Sequence, residues 1–382
     1  MKKSIFLAAL AVVAMVCAGC DSERFTPVHD STELWPAVSS ETGKWGYIDS
    51  KGTFVIPANY DVAHGFSCGY ALVESGENSF YIDTKGKMQD APRFEDAEDF
   101  YYKYARVEAD DLYGMLNTKF KYAIQPTFYD LGRRMGDNGL VAARQTEDGL
   151  YGYVNSKGSW KIQPLYEDAE PFHNGVAIIK LGDKEGVIND NGEFIVPPTY
   201  DNLMDVGEGM TAYELNKKWG VLDKNGKVLI APVYDDLGTM VDNGLLPVAQ
   251  SGKCGYLNSK GDTKINFMYY NADPFFEGYA FVQQSENGVW MCINTKGTIR
   301  FALLHNEKAV TGFHNGLALV ELYDDEAKQL TARYINVNGE TVYSWKEEWS
   351  SSYNAPVRQT DNENTRSQQL IEMTLHFDSR NL

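Results

Sequence analysis

A four-residue turn repeated nine times constrains this chain more than any other feature. It appears as Asp49-Ser50-Lys51-Gly52, Asp83-Thr84-Lys85-Gly86, Asn117-Thr118-Lys119-Phe120, Asn155-Ser156-Lys157-Gly158 and Asn189-Asp190-Asn191-Gly192. It continues as Asp223-Lys224-Asn225-Gly226, Asn258-Ser259-Lys260-Gly261, Asn294-Thr295-Lys296-Gly297 and Asn336-Val337-Asn338-Gly339. The spacings are 34, 34, 38, 34, 34, 35, 36 and 42 residues. Asp or Asn always opens the unit because its side chain bonds the backbone two residues on. Gly closes it because the left-handed conformation costs Gly nothing. Phe120 is the one exception, so the third copy is expected to be the least regular.

The flanks of each turn read as strands. In Lys44 to Pro57 (KWGYIDSKGTFVIP), Trp45, Tyr47 and Phe54 to Ile56 are strand formers on either side of the turn. A second signature places Gly69, Ala71 and Val73 at alternate positions, hence on one strand face. The same frame recurs as Gly139/Val141/Ala143, Gly175/Ala177/Ile179, Gly244/Leu246/Val248, Gly278/Ala280/Val282 and Gly316/Ala318/Val320. Lys103/Ala105/Val107 lacks the Gly, and Gly209/Thr211/Tyr213 is more polar. Each repeat therefore holds about three strands, the third ending at Pro57, Pro126, Pro164, Pro197 or Pro232, since Pro cannot donate to a ladder. The chain reads as all-β, with about nine three-stranded antiparallel units. The tight hairpins favour a propeller-like ring or open spiral, with a β-solenoid as the alternative. Atypical end repeats, here the copy around Arg333 to Val342, are expected to cap the stack.

The N-terminus belongs to a different kind of segment. Lys2 and Lys3 precede an apolar run from Ile5 to Val16, too short to span a bilayer, which reads as a secretory signal over residues 1–19. Its end, Cys17-Ala18-Gly19-Cys20, resembles the bacterial lipobox, with Cys17 standing where Leu is usual. That resemblance implies lipid attachment at Cys20 and anchoring to a membrane, the outer being favoured over the inner. Residues 20–43 are then a lipidated Cys and tether, 44–342 the repeat array and 343–369 a polar linker. Residues 370–382 form a strand, because Ile371, Met373, Leu375 and Phe377 alternate with polar residues. That strand is expected to cap an exposed sheet edge.

Loss of residues 1–19 removes two lysines and no acid, taking the net charge from −18 to −20. So acidic a body argues against nucleic-acid binding. Cys68, Cys254 and Cys292 are odd in number and suggest no disulfide framework.

The K-W-G-Y-I-D-x-x-G-x-x-V-I-P unit followed by Y-D and G-x-A-x-V resembles the WG (KWG) repeat family of bacterial proteins. Lys44 to Val73 and Lys218 to Val248 carry the resemblance best, and looser copies cover residues 44–342, about three quarters of the chain. Phe80, Glu185, Cys254 and Met291 depart from it in single units. The resemblance implies an all-β repeat protein with no common catalytic centre.

Candidate chemistry is sparse. Acids follow aromatics at Tyr60-Asp61, Tyr129-Asp130, Tyr166-Glu167-Asp168, Tyr200-Asp201 and Tyr234-Asp235-Asp236. A carboxylate pair can hydrolyse glycosides. Acids that recur with the repeat are better explained as scaffold. Asp223 and Asn189 open stretches faintly like a calcium loop, yet Tyr234 stands where its bidentate Glu belongs. His173 and His314 share a Phe-His-Asn-Gly setting and are expected to be exposed, without a zinc motif. No metal, cofactor or catalytic residue is assigned. Trp45, Tyr113, Tyr151, Trp219 and Trp290 share one slot and are possible ligand-stacking aromatics, although packing between units is the simpler role. The expected function is a non-catalytic extracytoplasmic scaffold in the bacterial cell envelope. Its partner is a protein or peptide, or alternatively a glycan.

Overall fold

The computed structural model describes residues 32–240, 244–324 and 326–348. Over them the chain is a nine-bladed β-propeller of small antiparallel sheets, with no helix among the described residues. Blade one holds Trp35–Val38, Trp45–Ile48 and Phe54–Tyr60, and blade two Val62–Ala63, Tyr70–Ser75 and Asn78–Asp83. The other seven blades have four strands each. The fourth strand comes from a feature the repeat pattern hid. After the outer strand the chain bends into a short strand that opens the next blade, two or three residues long in most blades, such as Asp130–Leu131 or Asp168–Ala169, and five in blade six, Leu203–Gly207.

A sequence repeat is therefore not a blade. Residues 44–78 supply the last two strands of blade one and the first two of blade two. Covalent continuity thus staples each sheet to its neighbour. Polar contacts follow the same path. Lys44 pairs with Asp61, Lys218 with Asp235, and Lys184 Nζ lies 2.5 Å from Asp201. The repeat-linked acids are scaffold elements: Asp61 also accepts the Gly76 N–H, and Asp235 that of Ser251.

All nine Asx turns form as the sequence predicts. In each, the side-chain oxygen accepts the N–H groups two and four residues on, from Asp49 to Lys51 and Thr53 (2.9 Å each) through to Asn336. The backbone N–H groups of Thr53 and Lys51 hold the Asp49 carboxyl below its usual range. The third copy is the least regular, as expected: the Lys121 N–H lies 3.4 Å from Asn117 Oδ1, where the other eight copies measure 2.8–3.2 Å. Phe120 takes φ 55° and its N–H still reaches the Asn117 carbonyl at 2.8 Å. Its ring is buried against Tyr70, Tyr81 and Phe100.

The shared frame of six blades depends on a close approach. Proline does not end the outer strand; Pro57, Pro126, Pro164, Pro197 and Pro232 lie inside it, at a register shift. In blade one, Trp45 pairs with Tyr60 and Tyr47 with Ile56, so three residues of the outer strand face one of the inner. This bulge presses on the Gly of the W-G pair. A Cβ on Gly46, Gly114, Gly152, Gly186, Gly220 or Gly255 would lie 2.5–2.7 Å from a carbonyl oxygen of the outer strand.

The ring closes. At four junctions between consecutive blades, a buried Tyr hydroxyl donates to a carbonyl of the next blade: Tyr47 to His64, Tyr81 to Glu98, Tyr153 to Glu170 and Tyr256 to Asp273, at 2.6–2.8 Å. Tyr334 of blade nine makes the same bond to Pro36 of blade one at 3.0 Å. Trp45 meets Trp345 edge-on at 6.0 Å, and Phe54 meets Tyr343 at 5.5 Å. One apolar cluster unites both ends of the array. An open spiral and a solenoid are thereby set aside, and the terminal repeats pack on each other instead of capping a stack. The expected boundaries move outward, since Trp35–Val38 lies in the supposed tether and Thr341–Glu348 runs into the supposed linker. Cys20 and the strand expected at 370–382 lie outside the described residues.

Candidate functional site

The shared aromatic slot is mainly a packing position. Trp45 is 3% exposed, with no face left for a ligand, which corrects its candidacy for stacking. Trp219 and Trp290 are half-buried against the cores of blades six and eight. Tyr113 lies under the Arg106 guanidinium at 4.7 Å. Tyr151 donates to Asp130 and lies 5.1 Å from the Arg144 guanidinium. Each of the five residues sits on a different blade, so no two share a sheet. Cys254 and Cys292 are free thiols, both pushed up by burial, to about 11 and about 12.

What varies from blade to blade is the bend between the first and second strands. These bends touch one another around much of the ring. Ser67 of blade two donates to the Phe100 carbonyl of blade three. Asp137 of blade four accepts the Asn174 N–H of blade five at 2.6 Å, and Glu277 of blade eight accepts that of Asn315 of blade nine at 2.6 Å. Two histidines are built into this belt. His64 Nδ1 lies 3.1 Å from Asp99, and His173 Nδ1 lies 3.3 Å from Asp205. His173 is 7% exposed, so it is a buried partner of the next blade's carboxylate and not the surface residue expected. Burial opposes the charge on His64, but Asp99, with Glu74 and Glu98 behind it, outweighs burial and raises its pKa.

In blades two, five, six, eight and nine the bend ends in two consecutive left-handed residues, a non-Gly and then Gly. Asn174-Gly175 has φ 50° and 82°, and Asn315-Gly316 has 48° and 82°. Blade three replaces that Gly with Lys103, at φ 71°. The left-handed region costs a side chain about 1 kcal/mol or more. No packing demand explains the change, because a Cβ at the equivalent Gly69 and Gly175 meets nothing within 4 Å.

Beside Lys103 lies the densest group of arginines. Four of the seven among the described residues are Arg106, Arg133, Arg134 and Arg144. Glu98 receives both Arg106 and Arg133 at 3.0 Å, and Asp130 lies 3.9 Å from Arg106 and 3.7 Å from Arg144. Arg106 also donates to the Leu131 carbonyl at 3.0 Å, bridging blades three and four where Met115 replaces the bridging Tyr. Arg134 covers the Tyr101 ring at 4.8 Å, and Arg144 covers Tyr129 at 5.2 Å. Sequence reasoning missed this cluster, although the 38-residue spacing and the Gly-to-Lys change both marked it.

Among the described residues, Glu95, Glu108 and Asp111 bring carboxylate oxygens within 4.8 Å of one another on blade three. An open depression between blades seven and eight is lined by Gly244, Leu245, Asn258, Lys264, Thr295 and Lys296. No helix of the described residues is long and apolar enough to cross a membrane.

The WG containing repeat model matches residues 45–78, 80–113, 151–184, 186–219, 219–254 and 255–287, more than half of the chain. The chain belongs to the WG-repeat family. Its matched segments straddle adjacent blades, as the fold requires. Comparison with curated proteins finds no match. Among solved structures, the chain is similar to a eukaryotic initiation factor at TM-score 0.57 and 11% identity, over 83% of this chain and 96% of that one. It is less similar to the dihydro-heme d1 dehydrogenase NirN in complex with DHE (TM-score 0.44, 12% identity, covering 85% and 77%). Hsv2 of Kluyvelomyces marxianus reaches 0.38 at 9% identity, covering 65% and 95%. At such identities the likeness concerns the propeller fold alone.

Proposed function

We propose that this WG-repeat propeller is a non-catalytic scaffold that binds a protein or peptide. One observation carries the reading: the periodic side chains are committed to holding blades together, whereas the bends between first and second strands differ in length and side chains from blade to blade. The Tyr-Asp acids hold lysines and turn amides, the Tyr hydroxyls bridge blades, and the W-G glycines admit the bulge. Bends that differ on a rigid ring give a surface whose specificity can change without altering the frame. A glycan-stacking role would need open rings in the aromatic slot, where Trp45 is buried and Tyr151 is clasped by Asp130 and Arg144.

The test is a pull-down of the tagged full chain from envelope extract with mass spectrometry. A stoichiometric protein partner is the expected result, and polysaccharide retained without protein overturns it. The proposal places the propeller outside the cytoplasm, held at the bacterial envelope by lipid on Cys20, on the strength of the Cys17-Ala18-Gly19-Cys20 sequence. Labelling cells with an alkyne fatty acid tests the anchor. Label incorporation is expected in the wild type and lost in Cys20→Ser; equal labelling of both removes the anchor.

A further inference from the structure

We infer that the bends of blades three and four form a docking site for an acidic segment of a protein partner. Lys103, Arg133 and Arg134 supply the charge, and Tyr101 and Tyr102 the contact area. The inference rests on the scaffold reading and gives it a place and a partner chemistry.

Three departures from the repeat coincide here. Lys103 takes a left-handed conformation, φ 71°, where the other bends described have Gly, and it is exposed. Strain that packing does not require is a mark of function. The blade-four bend is also longer, running from Gly132 to Gly139 where blade two needs only His64 to Gly69, and the lengthened bend carries Arg133-Arg134. Insertions in a repeat array tend to map to its binding loops. Finally, the composition is that of an interface centre, where Arg and Tyr dominate.

The geometry suits carboxylates. Glu98 fixes the Arg133 Nε at 3.0 Å while 42% of the arginine side chain stays exposed. The Arg134 Cζ lies 4.8 Å from the Tyr101 ring centroid, a cation–π contact that joins the arginine of blade four to the tyrosine of blade three. The local acids already have partners within the fold: Glu98 holds Arg106 and Arg133, Asp99 holds His64, and Asp137 holds the Asn174 N–H. The chain carries a net charge of −18, so an acidic partner is repelled by the rest of the surface and steered to this sector. A long polyanion such as nucleic acid would have to cross repelling surface, whereas a short acidic peptide segment would not.

The test measures anisotropy of fluorescein-labelled deca-glutamate with the full chain at low and moderate salt. Wild type binds, and binding weakens as salt rises. Arg133→Glu/Arg134→Glu weakens it tenfold or more, while Lys264→Glu/Lys296→Glu, on the depression between blades seven and eight, leaves it unchanged. Lys103→Gly weakens it several-fold yet raises Tm, a pairing that unfolding does not produce. Equal loss in the two double variants, or no binding by wild type, overturns the site. In the pull-down, a partner captured equally by wild type and Arg133→Glu/Arg134→Glu also overturns the site but leaves the scaffold reading standing. Capture of no protein by either removes the scaffold reading, and the site with it.

Discussion

Six blades carry the Gly of the W-G pair, and three do not. Blades one and three to seven have Gly46, Gly114, Gly152, Gly186, Gly220 and Gly255, and all six have the bulged outer strand. Blades two, eight and nine have Phe80, Met291 and Arg333 in that position. Blade two has no fourth strand, blade eight a short one at Ile299–Ala302, and blade nine a ladder without the three-residue bulge, its one register shift lying beside the turn between Tyr334 and Ile335. Blade seven shows which residue matters. It has Phe267 where blades three to six have Pro, and it is bulged all the same. Glycine permits the bulge, and proline only suits it. Blade two also shows how a loss is repaired. Elsewhere the turn Gly of one blade rests on the preceding blade's outer strand, as Gly158 rests on Ile124 and Gly192 on Ile162. Blade three faces a neighbour with no such strand, and Phe120 packs against Tyr70, Tyr81 and Phe100 there.

The sharpest way to break this comparison is Gly152→Ala. The added Cβ would meet the Ile162 oxygen at 2.5 Å and the Pro164 nitrogen at 2.7 Å, both backbone atoms that cannot swing aside. A loss of about 3 kcal/mol is expected, read from urea denaturation. Pro164→Ala should cost under about 1 kcal/mol, since the bulge remains and only unfolded-chain entropy changes. If the two cost the same, glycine does not govern the bulge.

Much of this frame was legible in the chain itself. The Asx turns, the antiparallel hairpins and the nine units follow from residue types whose local physics is unambiguous. The offset between repeat and blade was not legible, because periodicity has no origin and a repeat can be cut anywhere. The two-residue first strands were too short to show alternation. The proline misreading has a similar root. Its missing donor argues for a strand end, yet a bulge supplies an interior position where no donor is needed. For the candidate site, sequence reasoning found the aromatic slot but not the Arg–Tyr cluster. That cluster is assembled by contacts across blades, as between Arg134 and Tyr101 or Arg106 and Leu131.

Blade nine offers the next largest effect. Its ladder sets Ala332 between Glu321 and Trp345, in a sheet with three eight-residue strands. Burial pushes Glu321 up to about 7, against the nearby Tyr323 hydroxyl that donates to it at 2.5 Å and would lower it. The unfolded chain releases this proton near pH 4.5, and the native state holds it until about 7. Stability therefore falls as pH rises through that window and is flat above it. Asp236, raised to about 6 by burial, adds to the slope. Glu321→Gln should flatten the profile and stabilise the protein at pH 8 by roughly 2 kcal/mol. An unchanged pH profile of Tm would count against the burial argument.

The bridging hydroxyls come third. Burial pushes Tyr153 well above its ordinary range, so it stays a neutral donor to the Glu170 carbonyl at 2.7 Å. Tyr153→Phe should cost about 1 kcal/mol. Tyr334→Phe removes the equivalent bond at the junction of blades nine and one. Hydrogen exchange should then rise in Trp35–Val38 more than in strands remote from the closure; uniform exchange would mean the seam is no weaker than any other joint.

The smallest effect belongs to the Lys-Asp pairs, the most visible charged feature of the repeat. Lys218 and Asp235 are 44% and 30% exposed, so water and salt screen their attraction. The Lys218 hydrogen bond is the first cause holding Asp235 below its usual range, and its contribution is lost as pH falls through that lowered pKa. Lys218→Ala should cost a few tenths of a kcal/mol at low salt and nothing measurable at 1 M NaCl. The motif's lysine would then fix where the chain turns from one blade into the next more than how strongly the blades hold. A salt-independent loss comparable with that of Gly152→Ala would reverse this order and make the ion pair a structural equal of the bulge.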